Sequence, residues 1–199
     1  MTRYPKSILT ILAVLIVSFS FSQKPVVYFF SEVGLTLYIP PDFKVLDAAQ
    51  NDALTKKGVK MMADANNMSG ADISQLKTLI AARKTKFDYF NVTITTYNAK
   101  RDGPYPALTK EANNMFYHTF QEKLPDAKID SSTNMNRNIG GLVFSEYHLK
   151  IVVNANMTIN MFVLSKNYKG YDFGITYMYV DDVTKKQMEG ILQSCKFRK

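Results

Sequence analysis

The chain has 199 residues, a formal charge of +8 and 46% hydrophobic residues. Such a hydrophobic share excludes a disordered chain, and the length suits one ordinary domain with an adequate core. A single cysteine, Cys195, excludes an intramolecular disulfide, and two histidines fall short of the ligand set of a typical zinc site.

Residues 1–22 read as a secretory signal. Arg3 and Lys6 form a positive start, and Ile8–Phe21 is an apolar run broken only by Thr10, Ser18 and Ser20. Ser20-Phe21-Ser22 then places small residues at −3 and −1 of a cut between Ser22 and Gln23. An uncleaved anchor helix is the alternative, but the run is shorter than the roughly 20 residues a span needs. Cleavage removes Arg3 and Lys6 and lowers the charge from +8 to +6. With no cysteine after the apolar run, a lipoprotein junction is chemically excluded here.

Residues 23–199 read as one domain. Val27–Ser31 is a candidate edge strand, and Gly34–Pro40 a better one, stopped by Pro40-Pro41, which offer no amide protons to a ladder. Asp47–Asn67 is predicted helical, with Leu54, Gly58, Met61, Ala65 and Met68 on one face. Gly58 either permits a close approach to the sheet or breaks the helix in two. The helix ends in Asn66-Asn67-Met68-Ser69-Gly70. Leu76–Arg83 has enough alanine for a helix. It reads as a strand because a plausible turn, Lys84–Asp88, joins it to the clear strand Tyr89–Tyr97. After the Asp102-Gly103-Pro104 loop, Ala107–Leu124 carries the helical stripe Leu108, Ala112, Met115, Phe116 and Phe120. Asp126–Asn138 is polar and irregular, with at most a short strand at Lys128–Ser131.

The meander Leu142–Val153, Thr158–Ser165 and Tyr171–Val180 follows, rich in β-branched and aromatic residues and joined by short polar links. Helix Asp182–Cys195 closes the chain, with Asp182 as its N-cap and Met188, Ile191, Leu192 and Cys195 on one stripe. Local antiparallel groups of strands with helices between them describe an α+β domain. The expected form is a single antiparallel sheet with helices packed on both faces.

Few residues point to chemistry. His118 and Glu122 stand four apart on one helix and read as a surface pair, with a metal or acid–base dyad as the sharper alternative. Glu146, His148 and Lys150 share one strand face and read as a solvated strip. Cys195 on an apolar stripe reads as a buried, inert thiol. Gly140-Gly141 precedes a strand, so it reads as a turn or bulge and lacks the helix start that cradles phosphate. Catalytic, cofactor and metal residues are therefore expected to number none, and the His118 and His148 side chains to be dispensable for folding. Nine tyrosines in strands and loops read as core residues with hydroxyls at the rim, or else as a recognition surface. Lys56-Lys57, Arg83-Lys84-Lys86, Lys185-Lys186 and the basic C-terminus read as solvated surface, or else as a patch for anionic polymers or headgroups. Nucleic acid is not an expected partner. Three N-glycosylation triplets begin at Asn67, Asn91 and Asn156.

The compact strand ending in Ile39-Pro40-Pro41-Asp42-Phe43 resembles the opening of the PsbP-like superfamily. So does the late meander whose closing helix ends in Gln193-Ser194-Cys195-Lys196-Phe197. That superfamily includes the extrinsic PsbP subunit of the photosynthetic water-oxidising complex and exported bacterial proteins of DcrB type. The resemblance covers most of residues 31–199, and helix Asp47–Asn67 departs from it. It implies an α/β/α sandwich, an accessory or binding role, and no catalytic residues. The expectation is an exported, periplasmic or secreted, non-enzymatic protein with a protein or envelope partner, touching a membrane only through an uncleaved N-terminus. The alternatives are a small exported hydrolase with an unrecognised site and an envelope-associated structural protein anchored by that N-terminus.

Overall fold

The computed structural model describes residues 25–67 and 75–198, apart from the side chains of 133–135. The signal segment and its cut between Ser22 and Gln23 lie outside the described residues, as do residues 68–70 of the helix terminator. In chain order the elements are β1 (Val26–Phe30), β2 (Leu35–Ile39), β3 (Lys44–Val45), α1 (Ala48–Ala65), β4 (Lys77–Arg83), β5 (Tyr89–Thr96) and α2 (Ala99–Asp102). Then come α3 (Tyr105–Lys123), β6 (Lys128–Ile139), β7 (Leu142–Asn154), β8 (Met157–Tyr168), β9 (Tyr171–Tyr179), α4 (Asp182–Ser194) and β10 (Lys196–Phe197).

The strands form two antiparallel sheets, which corrects the expected single sheet. Seven strands run in the order β3-β4-β5-β9-β8-β7-β6, and three more in the order β1-β2-β10. The small sheet exists because β2 has partners on both edges, Val26↔Ile39 on one side and Lys196↔Thr36 on the other. Leu35, Leu37 and Ile39 alternate along β2 and are all buried. The small sheet thus lays one apolar face on the core instead of extending the larger sheet edgewise.

The second correction concerns β6. The segment read as irregular is a 12-residue edge strand paired to β7 from Lys128↔Val152 to Ile139↔Leu142. Gly140 and Gly141, with φ of +56° and +86°, make the two-residue turn between them. No other residue suits Gly140, because an added Cβ would stand 2.7 Å from the Cys195 carbonyl oxygen. The β8–β9 link also tightens to two residues. Lys169 and Gly170, at φ +53° and +79°, make the turn, and the strands extend to Tyr168↔Tyr171.

Strand alternation separates two apolar clusters. Phe90, Val92, Phe144, Leu164, Phe173, Ile175 and Tyr177 pack with the β2 residues and with Met188, Ile191, Leu192 and Cys195 at the chain's end. Tyr147, Leu149, Ile151, Ile159, Met161 and Val163 form the other cluster, with Phe116, Tyr117 and Phe120 of α3 against them. The predicted stripe of α4 is thus its packing face, whereas only Phe116 and Phe120 of the predicted α3 stripe pack on the core, and the buried residues of α3 are Asn113 and Thr119. The N-cap of α4 is Asp181 instead of Asp182, its carboxylate accepting from the Thr184 amide at 2.7 Å.

α1 differs from its predicted face. Leu54 is 37% exposed, and Ala65 is the helix's one fully buried residue. Gly58 neither breaks the helix nor brings the sheet close, since nothing lies within 4 Å of where its Cβ would be. The helix is held at its end, where the Asn66 Nδ2 donates to Thr119 Oγ1 of α3 at 3.0 Å.

Candidate functional site

The β6–β7 register sets Arg137 opposite Phe144, two residues along β7 from Glu146 on the same face of the sheet. The Arg137 guanidinium, a quarter exposed, uses both arms of its fork. Nη1 donates to Glu146 Oε2 at 3.1 Å and to the Tyr177 hydroxyl at 2.8 Å, and Nη2 donates to Glu189 of α4. Four elements therefore meet at one cation. Burial works against the Arg137 charge, but Tyr177, Glu146 and Glu189 outweigh it and hold the guanidinium above its usual range. Burial pushes the Tyr177 phenol far above its usual value, and the Glu146 and Glu189 charges push the same way against the pull of Arg137. Neither group exchanges a proton near neutral pH.

The Glu146–His148–Lys150 row is only partly the solvated strip expected. Lys150 is exposed, but Glu146 is 5% exposed and His148 is half-buried. Cross-strand pairing explains this. His148 faces Phe162, and Phe162 faces Tyr177. Their rings stack with centroids 4.1 Å and 4.7 Å apart and planes within 7°. His148 Nε2 also lies 3.2 Å from Asn160 Oδ1.

Beside this cluster, an open surface hollow of about 360 Å³ runs along the flank of α4. Asp182, Lys185, Lys186, Glu189 and Gln193 line it, a helical set turned away from the Met188–Ile191–Leu192 face. Glu189 belongs to both the wall of the hollow and the Arg137 cluster.

The other candidates stand apart. His118 and Glu122 are both exposed on α3, on a different element from His148. Cys195 is buried, its Sγ donating to the Ile191 carbonyl at 3.5 Å, and burial pushes the thiol up to about 12. Among the described residues, no group of three or more His, Cys, Asp or Glu could hold a metal ion. Tyr147, Tyr177 and Tyr179 are core residues, while Tyr38 is exposed. Of the glycosylation triplets, the one at Asn156 sits in an exposed turn. Asn91 lies half-buried within β5, and the triplet at Asn67 runs beyond the described residues.

Sequence reasoning missed two polar contacts. Arg137 lay in the segment read as irregular; treating Gly140-Gly141 as a two-residue turn would have set Arg137 beside Glu146. The second is Tyr105, whose hydroxyl donates to Asp172 Oδ1 at 2.7 Å. Burial raises the Asp172 carboxyl above its usual range despite that bond.

No helix among the described residues is long and apolar enough to cross a membrane. No family model matches the chain, and no curated protein does. The solution structure of cyanobacterial PsbP (CyanoP) from Synechocystis is similar at a TM-score of 0.50 and 11% identity, over 87% of this chain and 92% of that one. The crystal structure of LpqN, involved in cell envelope biogenesis of Mycobacterium tuberculosis, is similar at a TM-score of 0.40 and 12% identity, over 87% and 90%. The two-sheet α+β arrangement of this chain is a PsbP-like fold.

Proposed function

We propose that the chain is an exported, non-enzymatic accessory protein that binds a protein partner through the flank of α4. One observation carries the reading. The ionisable groups next to the hollow are engaged with one another, while the hollow itself is lined by polar and charged side chains of a single helix. A general acid or base needs a reachable proton and a pKa near the working pH. Arg137 and Tyr177 are both shifted away from that range. Recognition needs only a fixed surface with placed polar groups. The PsbP-like fold and the signal pattern of residues 1–22 support an exported accessory role. With this reading goes a layered α/β/α arrangement, with α3 over one face of the large sheet and α4 with the small sheet over the other.

A photo-crosslinking residue placed at Lys186 in cells tests the reading, with Lys60 on α1 as the control position. The expected result is a discrete crosslinked protein from position 186 and none from position 60. Equal labelling from both positions, or none from 186, overturns it.

A further inference from the structure

We infer that the outer face of the three-stranded sheet is a docking surface for an anionic lipid bilayer. It lies on β1, β2 and β10, so it goes beyond the partner reading, which concerns α4. The registers define the face. Val27 pairs with Tyr38, and Phe29 pairs with Thr36, which pairs in turn with Lys196. These five side chains share the side opposite Leu35 and Leu37, which the core covers. Arg198 reaches across β2 to the same side, its guanidinium 4.9 Å from the centroid of the Phe29 ring. Four of the seven large hydrophobic side chains exposed among the described residues, Val26, Val27, Phe29 and Tyr38, lie on β1 and β2. Exposed apolar surface is therefore concentrated on this sheet.

The charge beside it is positive and available. Lys196 and Arg198 are exposed, and neither has an ion-pair partner among the described residues. Lys169, exposed in the β8–β9 turn, brings its Nζ to 3.2 Å from the Arg198 carbonyl oxygen and adds a third cation at that end. Glu32, the carboxylate of the β1–β2 link, is engaged by Lys77. Apolar rings beside long basic side chains suit the boundary between headgroups and acyl chains. The rings enter it, and the cations reach the phosphates. Two copies of the face laid together would instead oppose their arginines and lysines. The chain ahead of β1 points the same way. Val26 stands five residues after Phe21, the end of the apolar run Ile8–Phe21. Five residues reach at most about 15–18 Å. With that run held in a bilayer during export, β1 stays this close to the bilayer surface.

The chain contains no tryptophan, so Phe29→Trp supplies a single fluorophore on the face. The exported form that begins at Gln23 is sedimented at low salt with two kinds of vesicle. One is phosphatidylcholine alone, and the other is equal parts phosphatidylcholine and phosphatidylglycerol. The expected result is recovery on the mixed vesicles and little on phosphatidylcholine. Changing Lys196 and Arg198 to Gln should weaken binding about fivefold for each charge removed. The same change at Lys56 and Lys57, exposed on α1, should leave most of the binding. On the mixed vesicles, Phe29→Trp emission should shift to the blue and be quenched by brominated acyl chains. Val183→Trp, at an exposed position of α4, should show neither effect. Absence of binding to the mixed vesicles, equal binding to both kinds, equal weakening by the two charge pairs, or an unquenched Phe29→Trp overturns the bilayer site. A blue shift of Phe29→Trp that grows with protein concentration in the absence of vesicles assigns the face to a second copy and likewise overturns it.

Discussion

Arg137 carries one positive charge on an edge strand and holds β6 to β7, β9 and α4 at once. Replacing it by Met strands the Glu146 carboxylate in the interior, and a buried ion pair broken on one side costs about 3–5 kcal/mol. Urea unfolding of Arg137→Met should show that loss, and Arg137→Met with Glu146→Leu should recover most of it. A single-variant loss below about 1 kcal/mol would show that Glu146 reaches water when its partner goes. The two histidines should separate in the same assay. His118 is exposed, so His118→Ala should stay within about 0.5 kcal/mol. His148 stacks on Phe162, so His148→Ala should cost about 1 kcal/mol, the scale of an aromatic pair. The alternation of Glu146, His148 and Lys150 along one strand face was legible in the sequence. Their burial was not, because it comes from β6 and β8, whose registers no local pattern in β7 specifies.

Hairpins and helices were legible where apolar side chains do the packing. β7, β8, β9 and the stripe of α4 announce themselves by β-branched and aromatic residues at the right period. β6 escaped because its pairing is backbone hydrogen bonding along an outer edge, where Ser, Asn and Asp face water and leave no apolar period. Edge strands of this polar kind also discourage pairing with other chains. β10 escaped because two residues carry no periodicity at all. The glycines test these assignments at the level of the element. Gly140→Ala forces a side chain into positive φ and against the Cys195 carbonyl and the Phe197 ring. It should lower stability by more than the roughly 1–2 kcal/mol typical of the backbone conformation alone. Gly190 sits exposed within α4 with open space around it, so Gly190→Ala should raise stability by about 0.5–1 kcal/mol. Thermal melts of the pair should move in opposite directions, and a stabilised Gly140→Ala would contradict the turn.

Across the whole molecule, the architecture was legible as a class and not as a layout. The α+β character follows from the order of patterns along the chain. The division into two sheets follows from β1 and β2 pairing with each other and not with the large sheet, and the third strand of the small sheet, Lys196–Phe197, arrives by a long-range pairing. Export gives the molecular-scale prediction. Mass spectrometry of the exported form should show residues 1–22 removed and Gln23 at the N-terminus. A full-length product retained in the membrane would contradict it. Reductant should leave the melting temperature of the monomer unchanged, because Cys195 is the only cysteine.

The three-stranded sheet joins distant parts of the chain. β2 lies between β1, its neighbour in sequence, and β10, and the Tyr38 amide donates to Ser194 Oγ across 156 positions. During synthesis from the N-terminus the chain therefore carries Leu35, Leu37 and Ile39 without α4 and β10 until nearly all of it has been made. The contacts that bury them are among the last to become available. Contacts of such long separation slow folding, because the intervening loop must close before they contribute. The small sheet and the cover of β2 are therefore complete only once α4 and β10, the last elements of the chain, are in place.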